Sequence, residues 1–181
     1  MVRATPLRQR QAAASTDPGR ADAAAARFPE PAEVLVADAG VDGLDALLAG
    51  LRPGVALRLV GAGDDGLGEM AAALASPGLD TLHVLGHGEP GAVALGGARL
   101  DPDSLGALAG AVRPRAGSIL DICLWSCRTG AGKEGAEFMS KLADATGATV
   151  FASSGLVGHE GKGGSWNLDR QASPRRGNPF S

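Results

Sequence analysis

The sequence has no tyrosine, four phenylalanines and two tryptophans, so aromatic residues make up only 3% of its 181 residues. Hydrophobic residues nevertheless account for 44% of the chain. The core must therefore be built largely from alanine, valine, leucine and isoleucine, which favours an α/β sheet over an aromatic-rich β-sandwich. The length predicts one domain of common size with some tail to spare.

A basic patch is also missing from the part of the chain that is expected to fold. Residues 1–31 carry five arginines against three acids, and residues 169–181 carry three arginines against one acid. Since the formal net charge is -3, the residues between these ends are clearly acidic. Nucleic-acid binding would require basic residues with interleaved aromatics in the folded part. We therefore expect no nucleic-acid partner.

Cysteine is scarce, and no apolar run approaches the length that crosses a membrane. Cys123 and Cys127 are four residues apart in one predicted strand, which separates them by roughly 13 Å at about 3.3 Å per residue. They cannot form a disulfide with each other in that geometry. No charged-then-apolar leader opens the chain. The expectation is a cytoplasmic protein with reduced thiols and no membrane partner.

Strand and helix patterns alternate along the middle of the chain. Residues 1–31 lack helical apolar periodicity and predict a disordered leader, residues 32–169 predict the folded domain, and residues 170–181 predict a flexible tail. Strands are predicted at 33–38, 55–60, 80–85, 92–95, 98–100, 118–126, 148–152 and 165–168, and helices at 42–51, 67–75, 101–112 and 134–146. This alternation predicts a three-layer α/β/α sandwich with a mostly parallel sheet.

Particular residues mark where the predicted helices begin and end. Asp42 can cap the first helix, and Asp101 followed by Pro102 opens the third. Gly147 is placed to end the last helix. The glycine-rich turn at 61–66 lacks the Lys-Ser/Thr of a nucleotide-binding loop, and its two aspartates would repel a phosphate. We therefore expect no nucleotide, and no other cofactor is indicated.

Two of the predicted strands end in side chains that carry chemistry. The largely apolar run at 119–125 is followed by Ser126 and Cys127, and the run at 79–85 is followed by Gly86 and His87. The carboxyl edge of a parallel sheet is where α/β proteins place their sites. If the two strands are neighbours, a thiol and an imidazole emerge together, which is the minimum apparatus for cysteine nucleophilic catalysis.

Three short stretches resemble parts of the caspase-like cysteine peptidase superfamily. They are Leu82-His83-Val84-Leu85-Gly86-His87-Gly88, the hairpin Gly91-Ala92-Val93-Ala94-Leu95, and Ser126-Cys127-Arg128-Thr129-Gly130. The resemblance is closest to the CHAT branch and to the bacterial domain of unknown function called DUF4347, which often stands at the head of large surface repeat proteins. It covers roughly residues 33–169, and the stretch from Gly163 to Asp169 looks like the way in which DUF4347 domains close.

The resemblance implies a caspase-like sheet in which the strands of His87 and Cys127 are adjacent. It implies that Cys127 is the nucleophile, that His87 is its acid/base partner, and that the amides of Gly88 and Cys127 bind the oxyanion. Thiol chemistry supports the same roles, because a free thiol with a pKa of about 8.5 needs a nearby imidazole to ionise at neutral pH. A glycine at position 88 would also leave room for a substrate that approaches His87.

Two functions remain open at this point. The first is a cysteine-type endopeptidase that cleaves a peptide or protein substrate, and the second is a catalytically inactive module that binds or sorts partners. Trp125 stands where many arginine-specific relatives have an aspartate, and Ser126 stands where DUF4347 relatives often have glycine. Primary specificity therefore cannot be carried over. The oligomeric state is not indicated.

Three further residues are candidate substrate-binding side chains. Arg128 could bind a substrate carboxylate or pair with a surface acid. Glu89 could act on His87 through its charge or merely face water. Ser126 completes the set because it precedes the candidate nucleophile.

The remaining cysteine and histidines are assigned structural roles. Cys123 is interpreted as a small buried hydrophobe, His83 as a core histidine that hydrogen-bonds to a backbone carbonyl, and His159 as a solvated loop residue. On a strand, His83 and His87 would be roughly 13 Å apart, as would Cys123 and Cys127. Neither pair could share one metal ion, so we expect no metal site.

Overall fold

The computed structural model describes residues 31–112 and 120–175. Its main sheet is built from β1 (Glu33–Asp38), β2 (Val55–Val60), β3 (Thr81–Leu85), β7 (Asp121–Trp125), β8 (Thr149–Ala152) and β9 (Arg170–Ala172). The spatial order is β2-β1-β3-β7-β8-β9, and every pair is parallel except β8 with β9. A smaller antiparallel sheet consists of β4 (His87–Glu89), β5 (Ala92–Leu95) and β6 (Ala98–Leu100).

Helices lie on both faces of the main sheet. Helix α1 (Leu44–Ala49) covers part of one face, and the other face is covered by α2 (Gly66–Leu74), α3 (Gly106–Ala109) and α4 (Gly132–Thr146). The strands are mostly parallel because each is connected to the next through a helix or a longer excursion. This arrangement confirms the predicted three-layer α/β/α sandwich with a mostly parallel sheet.

The two faces of the sheet are buried to different degrees. Alternate strand residues point to opposite faces. On the face covered by α2 and α4, six side chains of the central strands are at most 1% exposed: Val34, Val36, Leu82, Val84, Ile122 and Leu124. Each such side chain contributes about 1.5–3 kcal/mol to folding. On the α1 face, Leu57 and Leu59 remain 39% and 52% exposed. The main core therefore lies on one face, and α1 covers the other only in part.

Some helix boundaries differ from those predicted. Helix α1 begins after Gly43 without a side-chain cap, so the assignment of Asp42 as its cap is wrong. The helix predicted at 101–112 contains only the short α3, because the carboxylate of Asp101 accepts the backbone N–H of Ser104 at 3.1 Å and forms a local turn. Gly147 ends α4 with a φ of 70°, as predicted.

The carboxyl-terminal part of the domain also differs. The predicted strand at 165–168 is wrong, since this stretch contributes only an isolated bridge between Ser165 and Val157. Instead, β9 pairs with β8, and the folded domain continues beyond the predicted boundary at residue 169. An edge strand such as β9 is held by backbone pairing, and its polar sequence gives little strand signal. The predicted leader, up to residue 30, the end of the tail at 176–181 and residues 113–119 lie outside the described residues.

Candidate active site

Adjacent strands bring His87 and Cys127 to the same edge of the main sheet. Strands β3 and β7 pair in parallel with Leu85 opposite Trp125, and His87 and Cys127 each follow two residues later. This pairing confirms the prediction that the two strands are neighbours. His87 does not simply end β3, however, because it is the first residue of β4 in the smaller sheet.

Gly88 lies against the backbone of the candidate nucleophile. A Cβ atom at position 88 would be 2.5 Å from the carbonyl oxygen of Cys127, 2.8 Å from its amide nitrogen and 2.5 Å from Thr129 Oγ1. The sequence suggested a glycine here in order to leave room for substrate. The structure gives a more direct reason, which is that any side chain would collide with Cys127 and Thr129.

The thiol of Cys127 is half-buried under a loop. The backbone N–H of Val157 donates to Cys127 Sγ at 3.4 Å, and the thiol can in turn donate to the Val157 carbonyl at 3.7 Å. The amide N–H of Cys127 has no hydrogen-bond partner among residues 31–112 and 120–175. An oxyanion that forms when a thiol attacks a carbonyl requires such a free backbone N–H donor beside the thiol.

A backbone carbonyl orients the imidazole of His87. The ring is exposed, and its Nε2 lies 3.4 Å from the carbonyl oxygen of Gly40. A carbonyl can only accept a hydrogen bond, so Nε2 is the donor in this contact, and in a neutral ring Nδ1 is then the proton acceptor. No hydrogen bond joins His87 to Cys127 within the described part of the chain. Catalytic hydrogen bonds often tighten only when substrate is bound.

Asp38 holds the loop that contains Gly40. This buried carboxylate ends β1, and its two oxygens accept the backbone N–H groups of Gly40 at 2.7 Å and Gly96 at 2.8 Å. Sequence reasoning missed both Asp38 and Gly40. The one available signal was an acidic residue at the end of an apolar strand, which is unusual because buried carboxylates require hydrogen-bond donors.

Ser126 and Thr129 support the turn that follows β7. Ser126 is only 1% exposed, and its hydroxyl lies 2.7 Å from that of Thr129, which donates to the carbonyl of Ala92 at 3.2 Å. Ser126 therefore presents no surface to a substrate, and we assign it to the support of this turn. Arg128 has a left-handed φ of 58°, and its N–H donates to the carbonyl of Gly155 at 2.7 Å.

Glu89 and Arg128, the two charged candidates for substrate binding, have different surroundings. Glu89 forms an ion pair with Arg99 across the small sheet, and Arg99 also contacts Asp101 at 3.0 Å. Glu89 thus has an arginine partner that the sequence did not indicate, while its side chain remains exposed. The exposed side chain of Arg128 forms no ion pair with any residue that the structure describes, so a carboxylate-binding role stays a prediction.

Cys123 and His83 occupy the α1 face of the sheet. Burial raises the pKa of the Cys123 thiol to about 11, and the carboxylates of Asp121 and Glu33 add to the effect. His83 does not bond to a backbone carbonyl as predicted. Its Nδ1 accepts the indole N–H of Trp125 at 3.1 Å, and its Nε2 lies 3.3 Å from the Glu33 carboxylate. The hydrogen bond from His83 lowers the pKa of Glu33.

These features define an α/β protein with a cysteine and a histidine at the open edge of a mostly parallel sheet. The chain belongs to the family of the domain of unknown function DUF4347, whose family model matches residues 34–180. A comparison with curated proteins found no match. Among the described helices, none has the length and apolar character needed to cross a bilayer.

Proposed function

We propose that the protein is a cysteine-type endopeptidase of the caspase-like superfamily, with Cys127 as nucleophile and His87 as general acid and base. The observation that carries this proposal is the close approach of the Gly88 backbone to Cys127. Together with the pairing of β3 and β7, this approach supports a site that combines the Cys127 thiol, the His87 imidazole and nearby backbone amides. These are the groups that acyl transfer to sulfur requires.

The hydrogen bond to Gly40 gives the ring nitrogens of His87 separate tasks. Nε2 keeps its proton because it faces a carbonyl oxygen at 3.4 Å. Nδ1 then accepts the proton from the thiol of Cys127, which produces a thiolate and an imidazolium. Asp38 fixes the Gly40 loop through two hydrogen bonds and acts as a positioning residue.

The thiolate of Cys127 attacks the carbonyl carbon of the substrate, and a C–S bond forms as the C=O π electrons move to oxygen. The N–H groups of Cys127 and Gly88 donate to this oxyanion. When it collapses, the C–N bond breaks and the His87 imidazolium protonates the leaving amine. Water, deprotonated by His87, then hydrolyses the thioester and restores the thiol.

The order of a histidine followed by a cysteine, each two residues beyond the end of one of the adjacent strands β3 and β7, supports descent from caspase-like peptidases, including the CHAT branch. Both cysteines are free thiols. Free thiols suit a reducing compartment such as the cytoplasm, and that location is part of the proposal. The ligand of the site would be a peptide or protein.

A second candidate function is a module that binds a protein partner without cleaving it. The observation in its favour is that Cys127 Sγ is hydrogen-bonded to the backbone of Val157, whereas His87 is hydrogen-bonded to Gly40. In a peptidase, substrate binding would have to separate the thiol from Val157. In a binding module, the thiol could remain covered.

Cleavage of a peptide library would test the proposal against this alternative. We expect the wild-type protein and Cys123→Ala to cleave the same peptides, because Cys123 lies remote from the open edge and its thiol is held protonated by burial. Cys127→Ala should lose activity by at least about 10³-fold, since it removes the nucleophile. Cleavage by Cys127→Ala would contradict the mechanism. No cleavage by the wild type, with equal partner capture by wild type and Cys127→Ala in a pull-down, would favour the binding module.

A further inference from the structure

A groove of about 320 Å³ lies on the face of the main sheet that α1 covers in part. Its lining is mainly apolar and includes Leu35, Leu47, Leu51, Leu85, Trp125 and Trp166. Trp166 is 48% exposed, and the ring centroids of the two tryptophans are 6.1 Å apart. The mechanism above uses none of these side chains.

The strands place one end of this groove beside the candidate catalytic pair. Leu85 precedes His87 by two residues, and Trp125 precedes Cys127 by two residues. Leu85 and Trp125 are the last residues of β3 and β7, and both line the groove. The groove therefore reaches the edge of the sheet from which the chain continues, two residues later, to His87 and Cys127.

The loop that follows β8 also connects the candidate nucleophile Cys127 with the groove. Val157 in this loop hydrogen-bonds to Cys127 Sγ, and a backbone bridge joins Val157 to Ser165. The next residue, Trp166, packs against Trp125 at the rim of the groove. One loop thus touches both the thiol and the groove, so a peptide bound at Cys127 would have the groove within reach of a side chain.

The ionisable residues that line the groove already have partners. His83 accepts the N–H of Trp125 and pairs with Glu33, and Arg52 pairs with the same Glu33 carboxylate at 2.6 Å. A charged side chain that entered the groove would lose hydration without gaining a free counter-charge. An apolar side chain would bury its surface against leucine and tryptophan, which is favourable.

We propose, on the basis of the proposed peptidase function, that this groove binds an uncharged apolar side chain of the substrate. The side chain has the size of leucine, methionine or phenylalanine and belongs to a residue beside the bond that Cys127 cleaves. Burial of such a side chain corresponds to a preference of about tenfold or more over a charged one. The groove thereby defines the substrate class: peptides with a large apolar residue at the cleavage site.

Peptidyl chloromethyl ketones that differ only in their last side chain would measure this preference. The second-order rate of Cys127 modification is followed by mass spectrometry on the full chain and divided by the rate with iodoacetamide. We expect leucyl and phenylalanyl probes to react at least about tenfold faster than aspartyl and lysyl probes. Equal rates for the four probes, or faster reaction of a charged probe, would overturn the proposal.

Two matched variants locate the preference in the groove. Trp166→Ala removes a half-exposed wall of the groove and should reduce the preference several-fold when each probe rate is divided by the iodoacetamide rate of the same variant. Leu57→Ala, a control on the same sheet face but outside the groove, should leave the preference unchanged. An unchanged preference in Trp166→Ala, or an equal loss in both variants, would contradict the assignment.

Tryptophan fluorescence tests the groove proposal independently of the peptidase mechanism. Both tryptophans of the chain line the groove, so their emission should change when a leucyl or phenylalanyl tripeptide amide binds to Cys127→Ala. An aspartyl amide should produce no such change. This result can be obtained even if Cys127 is unreactive. An equal response to apolar and charged amides, or none to either, would overturn the groove proposal whatever the thiol does.

Discussion

Replacement of His87 with alanine is expected to lower kcat/KM for peptide cleavage by about 10²–10⁴-fold, the usual contribution of a general acid–base group. The free energy of unfolding should change by less than about 0.5 kcal/mol. The ring is exposed, and the hydrogen bond it makes to Gly40 is long at 3.4 Å, so little packing is lost. Initial rates on a cleaved peptide and urea denaturation would measure the two effects.

His159→Gln provides a matched control for this variant. His159 is also an exposed histidine, and its Nδ1 accepts the N–H of Gly161 at 2.9 Å, which a glutamine oxygen can replace. Cleavage by His159→Gln should remain within about twofold of wild type. Equal activity losses in the two variants would show that His87 has no special role in the reaction.

Gly88→Ala should destabilise the fold by about 1–3 kcal/mol, the cost of forcing a methyl group into a filled site. The new Cβ would meet the Cys127 backbone at 2.5 and 2.8 Å and the Thr129 hydroxyl at 2.5 Å. Backbone atoms cannot move away cheaply, so the turn that carries Cys127 would have to shift. We therefore also expect slower alkylation of Cys127 in this variant.

Gly106→Ala is the matched glycine control. Position 106 lies in α3, and a Cβ there meets nothing within 4 Å. Alanine is a better helix former than glycine, so the variant should be unchanged or more stable by up to about 1 kcal/mol. Urea denaturation measures both variants. A Gly88→Ala protein as stable as Gly106→Ala would contradict the backbone contact between Gly88 and Cys127.

Short, largely apolar strands were the most predictable elements of this fold. Strands β1, β2, β5 and β6 have the bounds that the sequence predicted. Each is a short, largely apolar stretch bounded by turn residues, and burial on one or both faces favours that composition. The adjacency of β3 and β7 was implied by resemblance, and the observed register confirms it.

Contacts made by backbone groups could not be predicted. The carbonyl of Gly40 on His87 and the amide of Val157 on Cys127 join residues that are 47 and 30 positions apart. Sequence patterns report side chains, whereas every residue except proline offers the same N–H and C=O groups. Ser126 was misread for a related reason. Its burial depends on Thr129 and on the close approach of β5, which only the fold defines.

Trp125 shows how a departure from a family pattern becomes informative once the fold is known. In the sequence, Trp125 indicated only that the specificity of the arginine-specific relatives cannot be assigned to this chain. In the structure it lines an apolar groove and donates a hydrogen bond to His83 at 3.1 Å. The sequence left the primary specificity open, whereas under the groove proposal Trp125 contacts an apolar side chain of the substrate.

The most direct test of a Cys127–His87 pair is the rate of cysteine alkylation as a function of pH. With iodoacetamide and peptide mass spectrometry, Cys127 should react rapidly below about pH 8.5, where a free thiol is mostly protonated. His87→Ala should remove that advantage. Cys123 is an internal reference, because its raised pKa should keep it slow until the pH approaches about 11. A Cys127 that reacts no faster than a free thiol, or at a rate independent of His87, would contradict the account.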